Sequence, residues 1–185
     1  DLYEDGLIYK GKRLVNWDIS LQTAISDLEV EQIEQEGNFY YLKYFLEDKS
    51  KYLEVATTRP ETLFGDQCIA VNSNDIRYKK FIGKKVFLPL TNELIPIIAD
   101  NHVDKEKGSG VLKITPAHDF NDYRIGKKNN LEPKIIFDKK GKLNKNVPIK
   151  YQGLDRIQSR DIIINDLKKL GNFLRVEKIK NTVPL

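Results

Sequence analysis

What most restricts the fold is a succession of short aromatic and β-branched runs, each stopped by Gly, Pro, Asn or a charged turn before it is long enough for a helix. Residues 39–46 read as a strand, Glu47-Asp48-Lys49-Ser50 as a turn, and 52–56 as the returning strand of a hairpin. The runs at 86–90, 95–99, 111–114 and 134–137 repeat the pattern. Two segments have helical spacing instead. Residues 159–170 place Ile162, Ile163, Leu167 and Leu170 on one face, with Gly171 as the stop. Residues 120–129 follow Asp119, a suitable N-cap, and carry Asp122 at the third helical position, in the positive end of the helix dipole. Many short strands with few helices predict an α+β chain: a compact, barrel-like, largely β domain with flanking helices.

At 185 residues and 40% hydrophobic content the chain has the size and apolar material of one domain. The expected organisation is a single domain over 1–185: a leading stem at 1–30, a barrel core at 38–150, and a C-terminal helix with an exit segment at 151–185. The stem and the last few residues are expected to be the least ordered parts. Lys and Arg total 31 against 27 acidic residues, a net charge of +4, which suits a nucleic-acid partner without demanding one. Runs such as Lys127-Lys128 and Lys139-Lys140-Gly141-Lys142 could track phosphates, but short charge runs of this kind are usually solvated loops.

Cys68 is the sole cysteine, so an intrachain disulfide is impossible. With only His102 and His118 beside it, a structural zinc site is not expected either. A reducing, cytoplasmic location fits. No window approaches the roughly 18 apolar residues of a membrane span, and the opening residues lack signal-peptide features. From the absence of Met, a piece of a longer polypeptide or a processed product is expected.

Two stretches carry the chemistry. Ala56-Thr57-Thr58-Arg59-Pro60-Glu61-Thr62-Leu63 leaves a predicted strand with S/T-x-x-E spacing from Thr58 to Glu61, the signature of a capping box. A helical turn is expected there, tolerant of Pro60 and ended by Gly65, presenting Thr57, Thr58, Arg59 and Thr62 beside free amides. In the second stretch, 108–123, alternation puts Lys113 and Thr115 on one side of a strand, opposite Leu112 and Ile114. A helix opening follows with Asp119 and Asp122, neighbours three residues apart. An ammonium, two carboxylates and a hydroxyl would then meet in one small volume, able to hold an amine and a hydroxyl and to position a water.

Rival readings are weaker. His118, Asp119 and Asp122 match no metal-site spacing. Gly108-Ser109-Gly110 precedes a strand and is no phosphate-binding fingerprint. The adjacent His118 and Asp119 lack a serine in an elbow. Asp119 as a plain helix cap is the strongest bland alternative.

Taken together, these stretches resemble the two motifs of the editing insertion of class I aminoacyl-tRNA synthetases. The run from Lys113 through Thr115-Pro116-Ala117-His118-Asp119 to Tyr123 looks like the valyl version, since the isoleucyl version has His and small residues where Lys113 and Thr115 stand. Gly11 to Asp18 and Thr23 to Val30 resemble the valyl lead-in, so the likeness covers nearly the whole chain. It implies a β-barrel-like insertion that hydrolyses threonine misattached to the 3′-terminal adenosine of tRNA(Val), with water as nucleophile. By similarity Asp119, Thr62 and Arg59 form the catalytic set. Substrate binding falls to Thr57, Thr58, Lys113, Thr115, Asp119 and Asp122, with Asp119 on the α-amino group and Lys113 and Asp122 by the side-chain hydroxyl.

The resemblance implies no metal and no cofactor for this part, with ATP used elsewhere in the parent enzyme. The implied partners are aminoacylated tRNA(Val) and the rest of the synthetase; a monomer is expected. The His-Ile-Gly-His and Lys-Met-Ser-Lys-Ser signatures are absent, so aminoacylation is not expected of these residues. The alternatives are a tRNA acceptor-end binding module without catalysis, an editing domain of isoleucyl or leucyl specificity, and an unrelated basic nucleic-acid-binding domain.

Overall fold

The computed structural model describes residues 1–184. Its strands are β1 (Asn16–Asp18), β2 (Thr23–Ile25), β3 (Gln32–Phe45), β4 (Tyr52–Thr57), β5 (Cys68–Val71), β6 (Lys85–Phe87), β7 (Leu94–Ala99), β8 (Val111–Ile114) and β9 (Phe173–Pro184); its α-helices are α1 (Phe120–Lys128) and α2 (Arg156–Lys169). The class is α+β, as the pattern of short runs predicts. Among the described residues the strands form three sheets and do not close into a barrel: β1-β2, β4-β3-β9 and β6-β7-β5-β8. Closure is only approached. A single bridge, Leu46 to Val86, joins the second sheet to the third, and β4 lies alongside β8 without pairing to it.

The hairpin at residues 39–56 forms with Tyr40 opposite Thr57 and Phe45 opposite Tyr52, and β3 runs back to Gln32 to pair with β9. The last few residues, expected to be among the least ordered, therefore belong to a strand as far as Pro184: the register of β9 runs from Leu42 opposite Phe173 to Gln32 opposite Pro184. Within the third sheet β5 is antiparallel to β8 and parallel to β7. The main core gathers Leu42, Tyr44, Val55, Phe64, Ile69, Ile97, Ile163 and Leu167, all essentially inaccessible to water. A second, smaller core of Cys68, Ala70, Val103, Ile114 and Ile125 lies under α1.

Several sequence expectations shift. Residues 134–137 form no strand, only a bridge from Phe137 to Leu143, and the Ile135 carbonyl accepts instead from the side-chain amides of Asn144 and Asn146. The run at 86–90 is a strand only to Phe87; Leu90 adopts φ 64°, which ends extended pairing. Helix α2 begins earlier than predicted, capped by Asp155, and Ile164 rather than Leu170 is buried; Leu170 is the C-cap and is exposed. Gly171 at φ 73° supplies the stop. In the stem, the Trp17 indole donates to the Lys139 carbonyl at 2.9 Å and the Tyr123 hydroxyl to that of Lys12 at 3.2 Å. Among the described residues, no helix is long and apolar enough to cross a membrane.

Candidate active site

Strand β4 delivers Thr57, and a 3-10 turn, Pro60–Gly65, follows it with every residue buried. The expected capping box at Thr58 does not form: Arg59 is the N-cap and makes no side-chain cap bond. Glu61 is drawn the other way, into the core, where Arg160 of α2 grips it with two hydrogen bonds of 2.9 and 3.0 Å. A forked ion pair outweighs a single bond to a backbone amide. A capping box does form at Ser26 and Glu29, in the stem. Thr57 accepts the Arg59 amide at 3.1 Å, and the Arg59 guanidinium donates to the His118 carbonyl at 2.8 Å, which ties the two predicted stretches together.

Alternation along β8 holds. Ile114 turns into the small core, while Lys113 and Thr115 face the 3-10 turn. The Lys113 ammonium, 5% exposed, donates to Thr62 Oγ1 at 2.8 Å, Asp66 Oδ1 at 2.7 Å and Thr115 Oγ1 at 2.6 Å. Thr115 Oγ1 in turn donates to Asp66 Oδ1 at 2.7 Å, the Tyr44 hydroxyl donates to Asp66 Oδ2 at 2.7 Å, and Thr62 Oγ1 donates to the Arg59 carbonyl at 2.9 Å. Burial pushes the Asp66 carboxyl upward against the pull of Lys113, Tyr44 and Thr115. Asp66 is reached because the Gln67 amide bonds the Ile114 carbonyl at 2.8 Å, extending the β5–β8 ladder past Cys68. Gly65 is required where the turn meets β8: a Cβ there would lie 2.9 Å from Thr115 Cγ2.

Helix α1 supplies the carboxylates. Asp119 is the N-cap as predicted, exposed, with Oδ1 accepting the amides of Asn121 and Asp122 at 2.8 and 3.0 Å. Asp122 is buried, and its Oδ2 accepts the Thr115 amide at 2.8 Å. Burial, and then the charge of Asp119, push the Asp122 carboxyl up to about 7, so it exchanges a proton near neutral pH. His118 plays no such part. Its Nε2 accepts the Ile136 amide at 3.1 Å, and burial together with the Arg59 and Lys113 charges lowers its pKa to about 3, keeping the ring neutral. Thr58 is half-buried and makes no side-chain hydrogen bond among the described residues.

The structure thus brings together Thr57, Arg59, Thr62, Lys113, Thr115 and Asp122, with Asp119 exposed at the N-cap of the helix that carries Asp122. Sequence reasoning missed Asp66, Tyr44 and the Glu61–Arg160 fork. The one visible signal was an acid, Asp66, two residues before the fully apolar run Cys68–Val71. An open recess lined by Asn74, Asp75, Ile76, Arg77, Lys105 and Glu106 shares no residue with this cluster, and its Arg77 is already forked onto Asp75.

The family model for tRNA synthetases class I (I, L, M and V) matches residues 1–182. The chain belongs to the class I tRNA synthetases. Within this family it is 54% identical over 183 residues to the valine–tRNA ligase of Legionella pneumophila (strain Paris), covering 99% of the chain and 20% of that protein. It is 53% identical over 184 residues to the valine–tRNA ligase of Pelagibacter ubique (strain HTCC1062), covering 100% of the chain and 21% of that protein. This class I synthetase chain therefore spans about a fifth of the length of the relatives it matches. In fold it is similar to the LeuRS of Agrobacterium radiobacter K84, solved as a ternary complex with tRNA and LeuAMS. That likeness has a TM-score of 0.60 at 19% identity and covers 80% of this chain and 20% of that one.

Proposed function

We propose that this class I synthetase segment performs post-transfer editing, hydrolysing the ester of threonine misattached to tRNA(Val), as part of an enzyme that ligates valine to that tRNA. The observation that carries the reading is the buried cluster of Lys113, Asp66, Thr62 and Thr115 set against Asp122, with the exposed Asp119 carboxylate beside it. Asp119 receives the α-amino group of the amino acid, and Asp122, braced by the Thr115 amide, receives its side-chain hydroxyl. The hydroxyl protons of Thr62 and Thr115 are already given to the Arg59 carbonyl and to Asp66, which supports water rather than either threonine as the nucleophile. Water adds to the ester carbonyl, the ribose oxygen leaves with a proton, and free threonine and tRNA result. No cofactor enters this reaction.

Selection follows from unpaired groups. Valyl enzymes are themselves the familiar example of the underlying problem: a pocket shaped for valine rejects threonine by only about 10²-fold. A second pocket that offers Asp122 to a hydroxyl leaves that carboxylate without its donor when valine enters, a penalty of about 1–3 kcal/mol, or roughly 10- to 100-fold. The proposed partner is the aminoacylated 3′-terminal adenosine of tRNA(Val), met by a monomeric segment of a cytoplasmic synthetase.

The test is hydrolysis of threonyl-tRNA(Val) by wild type and Asp119→Ala. Wild type is expected to clear the ester, and the variant to lose at least ~100-fold in rate, in line with the loss of a directly interacting charged group. Equal rates would place the chemistry elsewhere. Binding of tRNA without hydrolysis by wild type would favour an acceptor-end binding module instead.

A further inference from the structure

We propose that Asp66 is the positioning residue of this site, anchoring the Lys113 ammonium and the Thr115 hydroxyl so that the substrate-facing groups are fixed before substrate arrives. The inference rests on the hydrolytic reading above. Asp66 is wholly buried and cannot touch a substrate; it acts through its neighbours.

The proton inventory assigns the role. All three Lys113 protons are given to Thr62, Asp66 and Thr115, and among these partners only Asp66 carries a negative charge. The same oxygen of Asp66 takes the Thr115 proton, which leaves the Thr115 hydroxyl oriented in one way. The other oxygen is held from behind by Tyr44 of β3. The backbone is fixed on both sides, by the Asp66 amide on the Leu63 carbonyl at 3.1 Å and the Gln67 amide on the Ile114 carbonyl at 2.8 Å.

The other ionisable groups around the cluster do not replace it. Asp122 and Asp119 of α1 spend their contacts on backbone amides, and Arg59 and His118 add no negative charge. Removing the charge of Asp66 leaves a buried ammonium without its counter-charge and frees Thr115 to rotate.

The experiment compares wild type, Asp66→Asn and Tyr44→Phe in hydrolysis of threonyl-tRNA(Val) and valyl-tRNA(Val), with urea unfolding of each protein. Asp66→Asn is expected to lose ~100-fold or more in kcat for the threonyl ester with KM changed far less, as befits a group that fixes geometry. The threonyl-to-valyl ratio should fall as well, because Lys113 and Thr115 are no longer held in one geometry; a purely structural role would lower both esters alike. Tyr44→Phe keeps the charge and loosens one oxygen, so it should lose roughly tenfold in kcat. It carries the test if Asp66→Asn does not fold, and a wild-type rate for Tyr44→Phe would then overturn the proposal. Wild-type hydrolysis matched by Asp66→Asn in rate and threonyl-to-valyl ratio would overturn this inference alone. A wild type that hydrolyses neither ester would overturn the assigned reaction, and this inference with it.

Discussion

Arg160→Met should weaken the fold more than a surface ion pair would, although Arg160 lies 99 residues from its partner. The Glu61 side chain is 1% exposed, and Arg160 gives it both of its hydrogen bonds, at 2.9 and 3.0 Å. The remaining cation, Arg59, stands 3.6 Å away with its own side chain 44% exposed. Removing the fork leaves a carboxylate in the core facing one half-hydrated guanidinium. Breaking a fully buried pair costs about 3–5 kcal/mol. Because the Arg160 side chain is 28% exposed, water screens part of this, and the figure falls to about 2–3 kcal/mol. For a chain of this length that corresponds to a drop of about 5–10 °C in Tm. Urea unfolding measures it, and the double variant Glu61→Leu with Arg160→Met should regain much of the loss because no buried charge is left unpaired. A loss under about 0.5 kcal/mol, typical of an exposed pair, would refute the reasoning, as would a double variant no better than the single one.

Gly65→Ala should cost about 1–3 kcal/mol and slow threonyl-ester hydrolysis, since the new Cβ would displace Thr115 from 2.9 Å; unfolding and deacylation measured together check both. Asp122 gives a pH signature. Its folded pKa of about 7 lies above the ordinary 3.8, so the folded chain keeps a proton that the unfolded chain releases. Its contribution to stability is therefore full below pH ~4 and lost as pH rises through ~7, by up to about 4 kcal/mol. Asp122→Asn should flatten that slope in urea titrations across pH. If the Asp122 carboxylate reads the hydroxyl, the threonyl-to-valyl ratio of wild type should fall as pH drops below ~7, seen in parallel assays of both esters.

Much of the site was legible because its signals are local. The Asp119 cap, the alternation of Lys113 and Thr115, and the turn at Pro60 each depend on residues within one or two turns of each other. What the sequence hides is pairing over distance. Strand β9 alternates charged and apolar residues with no buried face to mark it, and its partners in β3 lie well over 100 residues away. Strand β5 is buried on both faces, so its four residues show no period at all. The S/T-x-x-E spacing at Thr58 misled because Arg160, far along the chain, offers Glu61 a stronger partner than a backbone amide, whereas the same spacing at Ser26 meets no competitor and caps. Asp66 was overlooked for a similar reason: an acid beside an apolar run gains its meaning only when β5 and β8 pair and bring Lys113 onto it.

The central claim is that this pocket reads a hydroxyl, and the ratio of initial hydrolysis rates on threonyl-tRNA(Val) and valyl-tRNA(Val), measured with one preparation of the 185-residue chain, tests it most directly. A ratio of roughly 10 to 100 in favour of the threonyl ester at pH 8 is the expected result. A ratio near one, with both esters cleaved, would contradict it.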